Sequence, residues 1–229
     1  MQGITITLSA INKKRKQLLL TMALAFIALL AASLFVSGNF GYFLFACLSL
    51  GMLIAPFLGR YWCNWLCPRG SFLEAFLGKF TLRRQFPQLF KNSLFLTLVA
   101  AIFMAMMGVN FYLLSASQTG FSALGIALTR LLVASTVVAI ILGIIYEPRV
   151  WCVFCPGATF AKLAAFFGNK KPYLVNAGEL CTSCQVCVAA CPFHIDASKN
   201  GIIHDADCLK CFACVERCPT KALAFSDRT

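Results

Sequence analysis

A chain of 229 residues with 60% hydrophobic residues, 12% charged residues and a mean hydropathy of +0.80 is not a soluble globular domain, which carries roughly twice that charge. The net charge of +12 would suit a nucleic-acid binder. However, the basic residues flank apolar runs, where they set topology and meet anionic lipid, so membrane lipid is the expected partner and nucleic acid is not.

In chain order, Met1 to Asn12 carries little signal. The basic block Lys13-Lys14-Arg15-Lys16 precedes the apolar run Leu18 to Val36. A secretory leader has the same order but a shorter apolar region and a small-residue cleavage site. This run is long enough to cross a hydrocarbon core of ~30 Å, and predicts a retained first span. Ser37-Gly38-Asn39 makes a turn, and Phe40 to Leu58 predicts a second span ending at Gly59-Arg60. Residues 60–92 are basic except for Glu74, and Gly70 to Phe80 has the apolar spacing of an amphipathic helix at the membrane surface. Leu94 to Leu114 predicts a third span, residues 115–120 a turn, and Leu124 to Tyr146 a fourth that stops at Glu147-Pro148-Arg149.

Every lysine and arginine except Arg130 lies in the N-terminal block, in residues 60–92 or from Arg149 onward. The turns at 37–39 and 115–120 have none. By the positive-inside rule both termini, the middle segment and the C-terminal region face the cytoplasm, in an inner membrane.

Two segments resemble one another. Residues 60–72 read R-Y-W-C-N-W-L-C-P-R-G-S-F, and residues 149–160 read R-V-W-C-V-F-C-P-G-A-T-F. Each follows a helical hairpin, so the sequence predicts a duplicated membrane unit about an axis along the membrane normal. Such an axis brings Cys63, Cys67, Cys152 and Cys155 together. Four converging thiolates can hold an iron–sulfur cluster or zinc. The alternatives are a thiol relay, or inert thiols beside prolines that stop a helix. The second pair is one residue shorter than the first, so a shared site is not symmetric. Cys47, inside the second span, reads as a small buried apolar residue.

The C-terminal stretch holds eight of the thirteen cysteines, as C-T-S-C-Q-V-C-V-A-A-C-P at 181–192 and C-L-K-C-F-A-C-V-E-R-C-P at 208–219. In C-x2-C-x2-C-x3-C-P, three thiolates hold one [4Fe-4S] cluster and the fourth ligates the other cluster. This assigns Cys181, Cys184, Cys187 and Cys218 to one cluster, and Cys208, Cys211, Cys214 and Cys191 to a second. Zinc sites pair cysteines across longer gaps, and disulfides would need an oxidising compartment. Tyr173-Leu174-Val175, Ile202-Ile203-His204 and Ala222-Leu223-Ala224-Phe225 are the candidate strands. The fold class is an α-helical membrane domain of four transmembrane helices in two repeated hairpins (1–171), followed by a small α+β two-cluster bacterial-ferredoxin-like domain (172–229).

The combination of four spans, two R-x-W-C…C-P segments and the double cysteine motif resembles the NapH-type membrane ferredoxins, with the MauN proteins, the membrane half of NosR and the CcoG polyferredoxins as relatives. The resemblance covers the chain from about Lys13 to its end. It implies an electron-transfer component of a quinol dehydrogenase-type complex, passing electrons between the quinone pool and a partner redox protein. The family's paired segment is typically C-x3-C-P, a spacing that Cys63–Cys67 keeps and Cys152–Cys155 does not.

The only histidines are His194 and His204. Neither lies in a span, so no b-type haem held by two histidines is expected, and His194 reads as a neighbour of the cluster rather than a ligand. Arg130, beside Thr129, is the one charge well inside a span. It is a candidate contact for a quinone carbonyl or else snorkels to the interface. Glu147 and Glu74 are candidate proton acceptors from quinol, or ion-pair partners of Arg149 and Arg69. Three functions remain open at this stage. They are electron transfer between quinol and a ferredoxin-like or cytochrome partner subunit, metal or thiol reduction at the four membrane-edge cysteines, and a structural assembly anchor.

Overall fold

The structure is a computed structural model that describes residues 2–35, 38–82, 84–115, 120–167, 173–203 and 205–226. His204 and the centre of the 115–120 turn lie outside the described residues. Helix α1 (Gln2–Phe35) has 34 residues, about 51 Å at 1.5 Å per residue. It therefore outlasts the hydrocarbon core by some turns, and the basic block sits within it. A 3-10 turn (Gly38–Tyr42) leads into α2 (Phe43–Leu58). Gly41 is required there, because a Cβ would lie 2.4 Å from the Gly125 carbonyl oxygen. Gly59 ends α2 with φ +62°, a backbone that glycine adopts at no steric cost.

The two Cys-Pro segments fold alike. Helix α3 (Tyr61–Trp65) is followed by α4 (Pro68–Leu77), with Cys67 as the N-cap of α4 and Pro68 as its first residue. After α5 (Ser93–Ser115) and α6 (Gly120–Ile145) come α7 (Trp151–Phe154) and α8 (Pro156–Phe166), with Cys155 the N-cap and Pro156 first. The prolines thus open helices as well as ending them, since the missing N–H would be unsatisfied at that position anyway. Lys13–Phe35, Phe40–Leu58, Ser93–Ser115 and Ser122–Ile145 are long and apolar enough to cross a membrane.

Packing departs from two simple hairpins. Helix α5 packs along α6, whereas α1 packs mainly on α4, and α2 on α8 through Ala55, Ala161 and Ala165. The expectation that Gly70 to Phe80 lies along the membrane surface is refined: α4 buries Leu73 completely within the main core, and α6 also contacts it. That core joins Leu73 and Trp151 to Phe193, Ile195 and Leu209, so the C-terminal unit rests on the helical part.

The C-terminal unit runs β1 (Tyr173–Asn176), α9 (Val186–Ala190), β2 (Gly201–Ile203), α10 (Ala213–Arg217), β3 (Leu223–Ser226). Both outer strands pair antiparallel with β1, in the order β2-β1-β3, with Leu174 opposite Ile203 and Phe225. Leu174, Ala197 and Leu223 form its own small core.

Glu74 on α4 ties three elements together. It accepts from Arg15 of α1 at 2.7 and 2.9 Å and from Nε of the fully buried Arg149. Burial raises its pKa, but the two guanidiniums outweigh burial and hold the carboxyl below its usual range. Because the folded state depresses this pKa, the stabilisation is complete above the usual carboxylate range and is lost as pH falls through the folded value. Glu74→Ala should therefore lower stability near neutral pH by about 3 kcal/mol, and Glu74→Gln should flatten the acid limb. Thermal unfolding of the detergent-solubilised chain at pH 7 and at lower pH measures both, and unchanged curves would refute the ion-pair role.

Candidate functional site

The C-terminal unit is built on backbone that side chains usually avoid. Among the described residues, all six non-glycine residues with positive φ fall here, in three pairs at equivalent places in or two residues past the two cysteine motifs. Ser183 and Lys210 have φ of 53° and 54°, Gln185 and Phe212 57° and 63°, His194 and Lys221 50° and 55°. Alternating left- and right-handed residues turn successive N–H groups toward one point and make a concavity suited to an anion. The sulfurs receive those groups. Cys181 accepts from the Ser183 N–H and Cys208 from that of Lys210. Cys191 accepts from Ile195 and Phe193, and Cys218 from Thr220, Ala222 and Leu223.

The thiols ring two cavities. An outer one is lined by Cys181, Cys184, Cys187 and Cys218. An inner one is lined by Cys191, Cys208, Cys211 and Cys214. Each cavity takes three cysteines from one motif and the fourth from the other. Their environments differ. Hydrogen bonds from the Asn176 side chain and the Ser183 N–H pull the half-buried Cys181 thiol below its ordinary pKa. Burial pushes Cys208 up to about 11 and Cys214 further in the same direction. Soft thiolates in fours, six of the eight with N–H donors at sulfur, fit an iron–sulfur cluster. Among the described residues no three His, Cys, Asp or Glu side chains close on a single metal ion.

The four membrane-edge cysteines also come together, at the end of the helical part beneath the inner cavity. Cys63, Cys67, Cys152 and Cys155 lie within electrostatic range of one another, and Cys63, Cys155, Cys191, Cys208 and Cys211 all pack on the main core. Burial pushes the Cys152 thiol up to about 12. Cys47, from inside the second span, lies within electrostatic range of Cys63, Cys67 and Cys155, so a fifth thiol lies near this site. No spacing rule signals it, because α2 delivers it from a separate element.

Two buried arginines organise the same region. Arg60 donates to the carbonyl of Cys152, and Arg149 donates to the carbonyls of Cys63 at 2.7 Å and Asn64 at 3.1 Å. Each arginine of one R-x-W-C segment thus binds the backbone of the other. Arg69 lies 4.7 Å from the Trp151 ring centroid and donates to the Ser135 carbonyl at 2.6 Å.

The quinone candidates separate. Arg130 is exposed on α6, while Thr129 is buried and donates to the Gly125 carbonyl, so the two do not form one binding pair. Glu74, Glu147 and His194 instead line one open cleft of about 890 Å³ between the helical part and the C-terminal unit, which Cys184, Cys191 and Cys211 also reach. His194 tilts against Phe86 at 5.9 Å, and burial together with Lys91 lowers its pKa.

Comparison with known proteins agrees with this geometry. A family model described as a 4Fe-4S binding domain matches residues 40–87 and again 129–173, and one described as a 4Fe-4S dicluster domain matches 173–219. An uncharacterized protein of Methanocaldococcus jannaschii is 26% identical over 201 residues, covering 78% of this chain and 80% of its own. YccM of Escherichia coli, a protein named for electron transport, is 24% identical over 193 residues, with 76% of this chain aligned to 53% of that one. The NrfC homolog of Haemophilus influenzae is 36% identical over 87 residues, which are 33% of this chain and 39% of its own. No solved structure matches. These matches give the chain 4Fe-4S ferredoxin domains, carried with four helices long and apolar enough to cross a membrane.

Proposed function

We propose that this chain is a membrane-bound electron-transfer subunit of the NapH type, passing electrons between quinol or quinone and a partner redox protein. The observation that carries this reading is the series of thiol groups. The outer cavity is followed by the inner one, which rests on the membrane-edge cysteines through a shared core. YccM, which matches most of the chain, is named for electron transport. When bound, [4Fe-4S] clusters supply one-electron carriers. Cys181, Cys184, Cys187 and Cys218 would hold one and Cys208, Cys211, Cys214 and Cys191 the other. The chain's own part is to position them and set their potentials through burial and N–H donors to sulfur.

Cys63, Cys67, Cys152 and Cys155 would hold a third cluster, a reading supported by the 4Fe-4S description that matches both of their segments. The reciprocal arginines and the twofold match support duplication of the membrane part (1–171), with 172–229 as the two-cluster domain. The basic residues orient both termini and the clusters to the cytoplasm in an inner membrane. The cleft lined by Glu147 and His194 is the place for a quinol head group near the inner thiols, with Glu147 as proton acceptor. Glu74 is held ionised by two arginines, and serves there as a fixed charge. One feature favours a second reading, thiol or metal reduction: the nearness of the Cys47 thiol to Cys67.

Anaerobic iron and acid-labile sulfide content with low-temperature EPR tests the cluster assignment. About eight irons per chain follow from the C-terminal motifs alone, and about twelve if the membrane edge is loaded. The excess should vanish in Cys63→Ser and persist in Cys47→Ser. Eight irons in the wild type would instead demote the membrane-edge thiols to the reductase or structural reading.

The C-terminal unit has only a small core of its own, so its clusters double as its staples. Stripping iron with a chelator should render residues 173–226 protease-sensitive and leave the helices intact. A tail that resists protease without iron would contradict this.

A further inference from the structure

The side chain of Arg60 is 1% exposed, and its guanidinium touches both redox regions at once. On the membrane side it donates to the Cys152 carbonyl and lies within electrostatic range of the Cys63 thiol. On the C-terminal side Nη1 meets Asp207 Oδ1 at 2.9 Å, next to Cys208, and the guanidinium lies 5.3 Å from the ring centroid of Phe193, two residues after Cys191. The Asp207 carboxylate is shared with Lys162 at 2.5 Å. Two cations thus meet one anion, with Arg60 shut off from water and the Asp207 and Lys162 side chains 13% and 16% exposed. Arg149, its counterpart, pairs with Glu74 inside the helical part and makes no such crossing. The outer cavity is lined by neither Arg60 nor Asp207.

We propose that Arg60 is the positioning residue that joins the membrane edge to the inner ferredoxin centre, and that its buried charge raises the reduction potential of the centres on either side of it while leaving the outer one unchanged. The physics is charge accumulation. A cluster gains one negative charge on reduction, and burial penalises that form unless a nearby cation offsets it. A guanidinium excluded from water is barely screened by salt. It also cannot be discharged at any accessible pH, so the offset is permanent. The forked hydrogen bonds fix its distance to both sides, which an ammonium on a flexible stem would do less well.

This inference rests on the cluster assignment above, and the two fail separately, because iron and sulfide content reports loading before any potential is read. The experiment is an EPR-monitored redox titration of the full chain in detergent. Cys184→Ser, which alters the outer centre, identifies the signals. In Arg60→Gln the inner centre should become harder to reduce by about tenfold in its one-electron equilibrium, about 59 mV, with the outer potential unmoved. Arg60→Lys should restore most of the shift. Asp207→Asn, which removes the counter-charge and keeps the arginine, should move the inner centre the opposite way. If Arg60→Gln does not load its clusters, the sign of the Asp207→Asn shift decides. A loaded Arg60→Gln protein with no shift, equal shifts of both centres, or an Asp207→Asn shift to lower potential would each overturn the proposal.

Discussion

Two guanidiniums with almost no access to water hold this molecule together. A charge taken out of water costs several kcal/mol unless its donors are satisfied, so Arg60 and Arg149 constrain everything within their reach. Each uses its fork on backbone carbonyls of the other's segment, at Cys152 for Arg60 and at Cys63 and Asn64 for Arg149. Those carbonyls belong to helices of five and four residues, α3 and α7. Helices that short leave their last carbonyls without internal partners. The arginines are thus cross-caps: the groups that one segment cannot satisfy are satisfied by the other. The four cysteines are brought together as a by-product, since they sit on and just after the turns being capped.

The same economy appears in the C-terminal unit. Left-handed backbone at Gln185 or Phe212 costs roughly 1–2 kcal/mol per residue, and three pairs of such residues in so small a unit cannot be offset by a core of Leu174, Ala197 and Leu223. The return comes through the N–H groups that these turns aim at sulfur. An anionic centre in the cavity would offset that strain by accepting those N–H groups.

Much of this was legible in the sequence, and the boundary follows range along the chain. The cysteine motifs, the apolar runs and the strands at Leu174, Ile203 and Leu223 are patterns within a dozen or so residues, and local spacing reveals them. The two R-x-W-C segments are longer-range but repeat, and repetition is visible without a fold. Cys47 carries no such mark: its neighbour Cys67 lies on another helix, and an isolated thiol in an apolar run looks like core. Glu74 was legible as an ion-pair candidate with Arg149, but Arg15 was not, because only the unbroken length of α1 lays the basic block against α4. The Arg60–Asp207 contact spans most of the chain, and no sequence pattern distinguishes Asp207 from the other acids near it.

Burial rises from the outer thiols to the membrane edge, and the fixed cations rise with it. Cys184 is exposed, the inner thiols are mostly covered, and Cys152 is buried outright. Desolvation alone would make each deeper centre harder to reduce, and a wire built only of buried thiols would run steeply in one direction. The arginines lie at the deep end: Arg69 against Trp151, Arg149 at Cys63, Arg60 between Cys152 and Asp207. Positive charge placed where burial is greatest opposes the slope that burial creates. In the function proposed above, centres levelled in this way would pass electrons either toward the membrane or away from it, with the direction set by the partner at each end.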